Sequence, residues 1–257
     1  MSGVIGDILS VDLHWNLDVR HGADYFRRWH RQKKNSGGLL VHKATHHFDL
    51  VNWWLSSVPE QVYASGHRRF YTPETAERYG LSQRAKRCLD CPEISNCPFS
   101  LDIKSNEQLN ALYLQNEKYD GYLRDKCVFS DEIDIEDSMN VVVDYRSGAK
   151  LTYSLNAFLP WEGYLVTFNG TKGRLEHKGQ ERVYINADGS VPGALEETGT
   201  WTHIYPHWEP AYGIDVWQGK GGHGGADPVM MGYIFDPDNQ QEDKYMRSTD
   251  ERAGSWS

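Results

Sequence analysis

Long apolar runs are missing from this 257-residue chain. No stretch approaches the ~18 consecutive apolar residues of a membrane-spanning helix, which excludes that kind of membrane protein. Basic blocks are scarce as well. Lys and Arg number 27 against 36 Asp and Glu, for a net charge of −9. Phosphate neutralisation needs clustered Lys and Arg, so nucleic acid is not an expected partner. The one dense basic stretch, Arg27 to Lys34, reads first as a solvated helix face. Residues 1–15 lack a basic leader region and carry Asp7 and Asp12, so the cytoplasm is the expected compartment. Cysteine is limited to four residues.

Apolar material for a core is present, at 39% hydrophobic residues, and this argues against disorder. Nine Trp and fifteen Tyr also offer the flat, polar-edged surfaces on which carbohydrates stack. Leu9, Val11, Leu13 and Trp15 alternate with polar residues, which predicts a half-buried strand. A short helix is expected over Asp24 to Arg31. Asn35-Ser36-Gly37-Gly38 then caps a long helix from Leu39 to Leu55, with Leu39, Leu40, Val41, Ala44, Phe48, Val51 and Leu55 on its buried side. A strand is expected over Val62 to Phe70. Residues 72–130 are charged, turn-rich and hold every cysteine, and read as an insertion. Strands follow at Met139–Tyr145 and Ala149–Phe158, turned by Arg146-Ser147-Gly148, and then at Leu165–Phe168, Arg174–Glu176, Val183–Ile185 and Trp201–Tyr205. No terminal element is expected after Gly219. The order predicts one α+β domain over 1–257: an open, largely antiparallel β-sheet with helices on one face, plus a cysteine-bearing insertion.

Cys88, Cys91, Cys97 and Cys127 give the spacing C-x2-C-x5-C-x29-C. Four reduced thiols can close a tetrahedral shell, so structural zinc is the leading expectation, with an iron–sulfur cluster or unliganded thiols as the rivals. His42 and His46 are spaced i, i+4, which puts both on one face of a continuous helix and allows metal binding or proton exchange. Lys43 stands where a zinc protease needs Glu, which disfavours that chemistry. Gly219, Gly221 and Gly224 satisfy G-x-G-x-x-G by letter only, since no strand leads into them and Pro228 follows. That loop is better read as presenting His223 and Asp227 to a ligand. Asn169-Gly170-Thr171 is turn chemistry.

Several of these stretches, taken in order, resemble one family. Gly37-Gly38-Leu39-Leu40-Val41-His42 through His46, Asp49 and Trp53-Trp54-Leu55 is similar to the signature helix of the Gfo/Idh/MocA oxidoreductases. Val4-Ile5-Gly6-Asp7-Ile8, Phe168 to Glu176 and His223-Gly224-Gly225-Ala226-Asp227 agree with it. The similarity is to the family's C-terminal half alone. It implies a substrate-binding and oligomerisation domain of an NAD- or NADP-dependent enzyme that acts on a sugar or polyol hydroxyl by hydride transfer. The cofactor-binding Rossmann domain would then stand on the same precursor or on another chain. By position His46 corresponds to the family's proton-transfer histidine. His42 stands where many relatives have Asp, and would orient His46 or share its proton. Tyr25, Arg28, Trp29 and His30 are expected to line the substrate pocket, with His223 and Asp227 closing over it. The resemblance also implies a homo-oligomer formed through the sheet. Alternatives are an NAD-dependent glycoside-cleaving relative with no net redox, a non-catalytic assembly module, and a metal-dependent hydrolase built on His42 and His46.

Overall fold

The computed structural model describes residues 3–181, 199–216 and 225–235. The chain divides into two compact units, Met1–Ile214 and Asp215–Ser257. The first holds β1 (Ile8–Asp18), α1 (Val19–Arg27), α2 (Lys33–Ser36), α3 (Leu39–His42), α4 (Thr45–Leu55), β2 (Pro59–His67), α5 (Pro73–Arg78), α6 (Glu107–Leu112) and α7 (Glu117–Asp120). These are followed by β3 (Ser138–Tyr145), β4 (Lys150–Leu159), β5 (Glu162–Gly170), β6 (Gly173–Glu181), β7 (Gly199–Pro206) and β8 (Tyr212–Ile214). In the second unit, α8 spans Ala226–Phe235. No described helix is long and apolar enough to cross a membrane.

The eight strands form one open sheet in the order β2-β3-β4-β1-β5-β6-β7-β8. Every pairing is antiparallel except β1 with β4. The expected α+β architecture is therefore observed. Alternation fixes which face is buried. Val11 and Leu13 of β1 lie beside Leu151 and Tyr153 of β4 and beside Phe168 and Val166 of β5. These side chains, with Val141, Val143 and Leu155, form the core under the helices. A register shift between Ile8 and Ser10 breaks the alternation at its start, and Leu9 is exposed. The other face carries Ser10, Asp12 and His14. It also leaves Tyr63, Val142, Leu165, Trp201 and Tyr205 in solvent.

α1 lies close on the sheet because Gly22 has no side chain. A Cβ there would stand 1.7 Å from the Ala157 carbonyl oxygen. The helix begins where the buried Asp18 carboxylate accepts hydrogen bonds from the Arg20 and His21 N–H groups, at 2.6 and 3.2 Å. Residues 71–135 do not form a separate body. Tyr71, Ala76, Leu81, Phe99, Val128 and Phe129 join the main core, while Cys88, Leu101, Ile103 and Leu109 form a small cluster of their own.

Four elements differ from the sequence expectation. The short helix expected over Asp24–Arg31 starts earlier, as α1 over Val19–Arg27 from the Asp18 cap, and a separate 3-10 turn follows at Trp29–Arg31. The helix expected over Leu39–Leu55 is two helices, α3 and α4. The Lys43 N–H makes the regular bond to Leu39 O, but the Ala44 N–H reaches the same oxygen from five residues on, and the Thr45 hydroxyl donates to the Val41 carbonyl oxygen. This local back-bonding interrupts the helical ladder. Leu39, Ala44 and Val51 are buried as expected, but Val41 is exposed. The strand expected at Val62–Phe70 lies earlier, because the Asp137 carboxylate takes the N–H groups of Arg69, Phe70 and Tyr71 and ends the ladder. A helix, α8, also stands after Gly219. The strand expected at Val183–Ile185 falls outside the described residues.

Candidate active site

The site begins at the C-terminal end of α1. Tyr25 lies in its last turns, and Arg28 leads into a 3-10 turn, Trp29–Arg31. The break after α3 turns His42 back towards that segment. The His30 and His42 rings stand 4.2 Å apart between centroids. Tyr25 meets them at 5.2 and 5.9 Å. The Trp29 indole stacks on His30 at 3.8 Å and meets His42 edge-on at 5.3 Å. Four of the residues singled out by sequence thus form one cluster with an indole, 40% exposed, at its mouth.

Charge is arranged around the cluster. Asp24 holds Arg124 at 2.6 Å and Arg28 at 3.5 Å. Burial pulls the His30 pKa down to about 4, helped by His42 and Arg28. Burial also lowers His42, with Lys43, Arg28 and His46 adding to it. Both imidazoles are therefore neutral at pH 7. The His30 Nδ1 is buried and has no hydrogen-bond partner among the described residues. A neutral imidazole with a free nitrogen can accept a proton or a hydrogen bond from a hydroxyl. His46 stands exposed on the first turn of α4, and the break in the helix removes the shared face that the i, i+4 spacing predicted. His47, one residue on, turns inward. It stacks on Trp15 at 3.7 Å and shares a hydrogen bond with Tyr153 Oη at 2.8 Å.

Two residues that sequence reading passed over support Tyr25 from behind. His21 lies one turn earlier on α1, its ring 5.2 Å from that of Tyr25. Its Nδ1 is 2.8 Å from Glu162 Oε1, and Glu162 Oε2 accepts from the Asp18 N–H at 2.8 Å. The i, i+4 spacing of His21 and Tyr25 was a readable signal. Glu162 comes from β5 and had none.

Asp227 lies in the first turn of α8 in the second unit, and His223 falls outside the described residues. The four cysteines gather around one cavity of about 20 Å³. They do not form the finished tetrahedral shell that the spacing predicted. Among the described residues no group of three or more His, Cys, Asp or Glu side chains is set to hold a metal ion as it stands. For the same reason the hydrolase alternative built on His42 and His46 has no third ligand in place.

Residues 1–207 match the sequence profile of the oxidoreductase family's C-terminal alpha/beta domain, GFO_IDH_MocA_C. The chain is 39% identical over 242 residues to a protein of Bacillus subtilis (strain 168) named "Putative oxidoreductase YteT". That match covers 91% of this chain and 55% of the relative, so the chain spans about half the relative's length. Among solved structures it is similar to aldose-aldose oxidoreductase from Caulobacter crescentus complexed with glycerol. There the identity is 12%, the TM-score 0.48, and the coverage 90% of this chain and 47% of that one. An oxidoreductase domain protein from Kribbella flavida matches at 14% identity and TM-score 0.45, over 83% of this chain and 42% of that one.

Proposed function

This chain belongs to the Gfo/Idh/MocA oxidoreductase family as its C-terminal α/β domain, and we propose that it is the substrate-binding half of an NAD(P)-dependent enzyme acting on a sugar or polyol hydroxyl. The observation that carries this reading is the Tyr25–Trp29–His30–His42 cluster. An indole and a phenol give an apolar platform for a sugar ring, and neutral imidazoles beside them suit its hydroxyls.

The nicotinamide supplies the hydride chemistry when bound. Among the described residues no strand runs through a glycine-rich turn into a helix, as dinucleotide binding requires. The parallel pair, β1 and β4, has no such turn after it. In this reading the dinucleotide is bound by a Rossmann domain on the same precursor or on another chain, as the resemblance to the family implies. Within this chain, Trp29 and Tyr25 orient the ring and Arg28 and His30 hold hydroxyls. His46, exposed on the first turn of α4, takes the hydroxyl proton as the carbon gives up its hydride, and His42 assists. The exposed face with Tyr63, Val142, Leu165, Trp201 and Tyr205 is proposed to pair with a second copy.

The test is an assay of this domain together with its dinucleotide-binding partner on a panel of aldoses, inositols and polyols. Reduced nicotinamide should accumulate with at least one of them. His46→Ala should lower kcat at least about 100-fold, the span of lost proton-transfer catalysis. Glycosidic cleavage without net reduced nicotinamide would replace this reading with the glycoside-cleaving alternative.

A further inference from the structure

The histidine cluster has a neighbour from outside α1 and α3. Residues 71–135 send Arg124 to it, and pairings between distant segments hold that residue in place. Arg87 pairs with Lys126 in an isolated antiparallel bridge. The Cys88 N–H donates to Asp125 O at 2.8 Å, and the Cys127 N–H donates to Lys86 O at 2.9 Å. The Arg87 guanidinium also grips Glu117 and Asp125, each at 2.6 Å. Arg124, next to Asp125, is left 4% exposed, and Asp24 is 5% exposed. Their ion pair spans 2.6 Å. The Arg124 guanidinium lies over the Tyr113 ring at 5.6 Å.

Charge does not balance here. Asp24 is one carboxylate between two guanidiniums, since Arg28 reaches its other oxygen at 3.5 Å. That contact is long, and the Arg28 side chain is 34% exposed, so its planar fork of donors is only partly used. Arg124 Nε and His30 Nδ1 are buried and have no hydrogen-bond partner among the described residues. Arg28 and Arg124 both act on His30 against a proton on its ring, with Asp24 opposing them. At His42 the neighbouring charges, Lys43, Arg28 and His46, all act in that direction. Glu162, the other carboxylate near Tyr25, is engaged by His21 and the Asp18 N–H. The cluster therefore carries about one positive charge in excess. Partly buried charge without a partner is costly, and a bound anion offsets that cost.

We propose that the substrate of this site is a sugar acid, a polyhydroxylated compound bearing one carboxylate, and that Arg28 holds the carboxylate while Arg124 keeps Arg28 available for it. The proposal rests on the reading of the Tyr25–Trp29–His30–His42 cluster as a sugar site, and gives Arg28 a carboxylate in place of a hydroxyl. A guanidinium meets a carboxylate through two parallel N–H···O bonds, a geometry that a neutral sugar does not offer. Arg124 is a positioning residue. Its short pair with Asp24 occupies that carboxylate, which would otherwise turn to Arg28 and neutralise it. One excess charge matches a monoanion. A phosphate monoester, close to a dianion at pH 7, would leave negative charge uncompensated. Trp29 follows Arg28 in the chain and stacks on His30, so the carboxylate, the ring platform and the hydroxyl acceptor lie on consecutive residues.

The experiment titrates the whole chain at low salt with D-glucose, D-glucuronate, D-gluconate and D-glucose 6-phosphate, and with the matching galacto and manno compounds. Binding is followed through the His30 and His42 ring resonances. In at least one series an acid should bind at least about tenfold more tightly than the parent hexose, as a charge-assisted hydrogen bond gives, and more tightly than the phosphate. Added salt should narrow the gap. Arg28→Gln should abolish the preference. Arg124→Gln releases Asp24 to Arg28 and should lower the same ratio, a change in selectivity that lost stability alone would not give. Equal binding of hexose and acid in every series overturns the proposal and leaves the sugar site standing. Tighter binding of the phosphate, or a preference for the acid that survives Arg28→Gln, also overturns it. If no compound moves those resonances, the sugar site itself falls, and the proposal with it. Because the first readout uses the unsubstituted chain, misfolding of a variant does not leave the question open.

Discussion

Arg27 and Arg28 are neighbours in the chain and stand in opposite surroundings. Arg27 is 5% exposed and is held by Phe99 O at 2.6 Å, Lys126 O at 3.4 Å and the Cys88 sulfur. Arg28 is partly solvated and pairs with Asp24 at 3.5 Å. The first belongs to the cysteine cavity and the second to the histidine cluster. The cavity is lined largely by apolar side chains and thiols, and Arg27 is hydrogen-bonded into its wall. The cluster is open at Trp29 and leaves the His30 Nδ1 without a partner among the described residues, as a region that meets a ligand requires. One helix, fixed on the sheet at Gly22, thus places a brace behind the site and the site itself in front.

The largest effect should come from lifting α1 off the sheet, which damages both regions together. Gly22→Leu would drive a side chain into the Ala157 carbonyl, and should cost about 4 kcal/mol or prevent folding. Chemical denaturation measures this, and near-normal stability would show that α1 is not held where the contact places it. The next test separates the two regions. Arg27→Ala strands buried acceptors and should cost about 3 kcal/mol, while Arg28→Ala should stay under about 1 kcal/mol. Equal losses from the two would erase the contrast.

Acid should act through buried neutral imidazoles. Burial pulls His47 down to about 3, with Lys43 and His46 contributing, against about 6.5 in an unfolded chain. The unfolded state therefore binds the proton more readily. Its stabilising contribution is complete above pH 6.5 and is lost as pH falls from there towards 3. The slope in that window approaches about 1.4 kcal/mol per pH unit for this one group. Denaturation midpoints measured from pH 7 to pH 5 should fall, and His47→Gln should flatten the dependence. An unchanged slope in the variant would place the acid sensitivity elsewhere. The smallest effect concerns how α1 starts. Asp18→Ala should cost about 1 kcal/mol through the lost cap, with Asp18→Asn retaining most of it in the same denaturation assay.

Legibility in the sequence followed the range of the interactions. The β3–β4 hairpin could be read because alternation and the Arg146-Ser147-Gly148 turn are local, and the structure has it at Ser138–Tyr145 and Lys150–Leu159. The cluster residues Tyr25, Trp29, His30 and His42 were named from resemblance to a family, and they do converge. The shared helix face of His42 and His46 was misread because periodicity cannot register one hydroxyl, Thr45, redirecting a carbonyl. The supports from His21 and Glu162, and the approach of Cys127 to Cys88, depend on pairings between distant segments. No spacing rule encodes them. α8 escaped notice because it has little amphipathic pattern, with Met230, Met231, Ile234 and Phe235 all exposed.

The central claim is that the histidine cluster at the end of α1 meets a polyhydroxylated ring. The direct measurement is a titration of this chain with aldoses, inositols and linear polyols, followed through the imidazole ring resonances by NMR. Assignments would come from His30→Gln and His42→Gln. The account predicts that at least one ligand shifts the His30 and His42 resonances saturably while His47 and His177 stay in place. Titrations that move none of the cluster's resonances, or that move buried and clustered histidines alike, would contradict it.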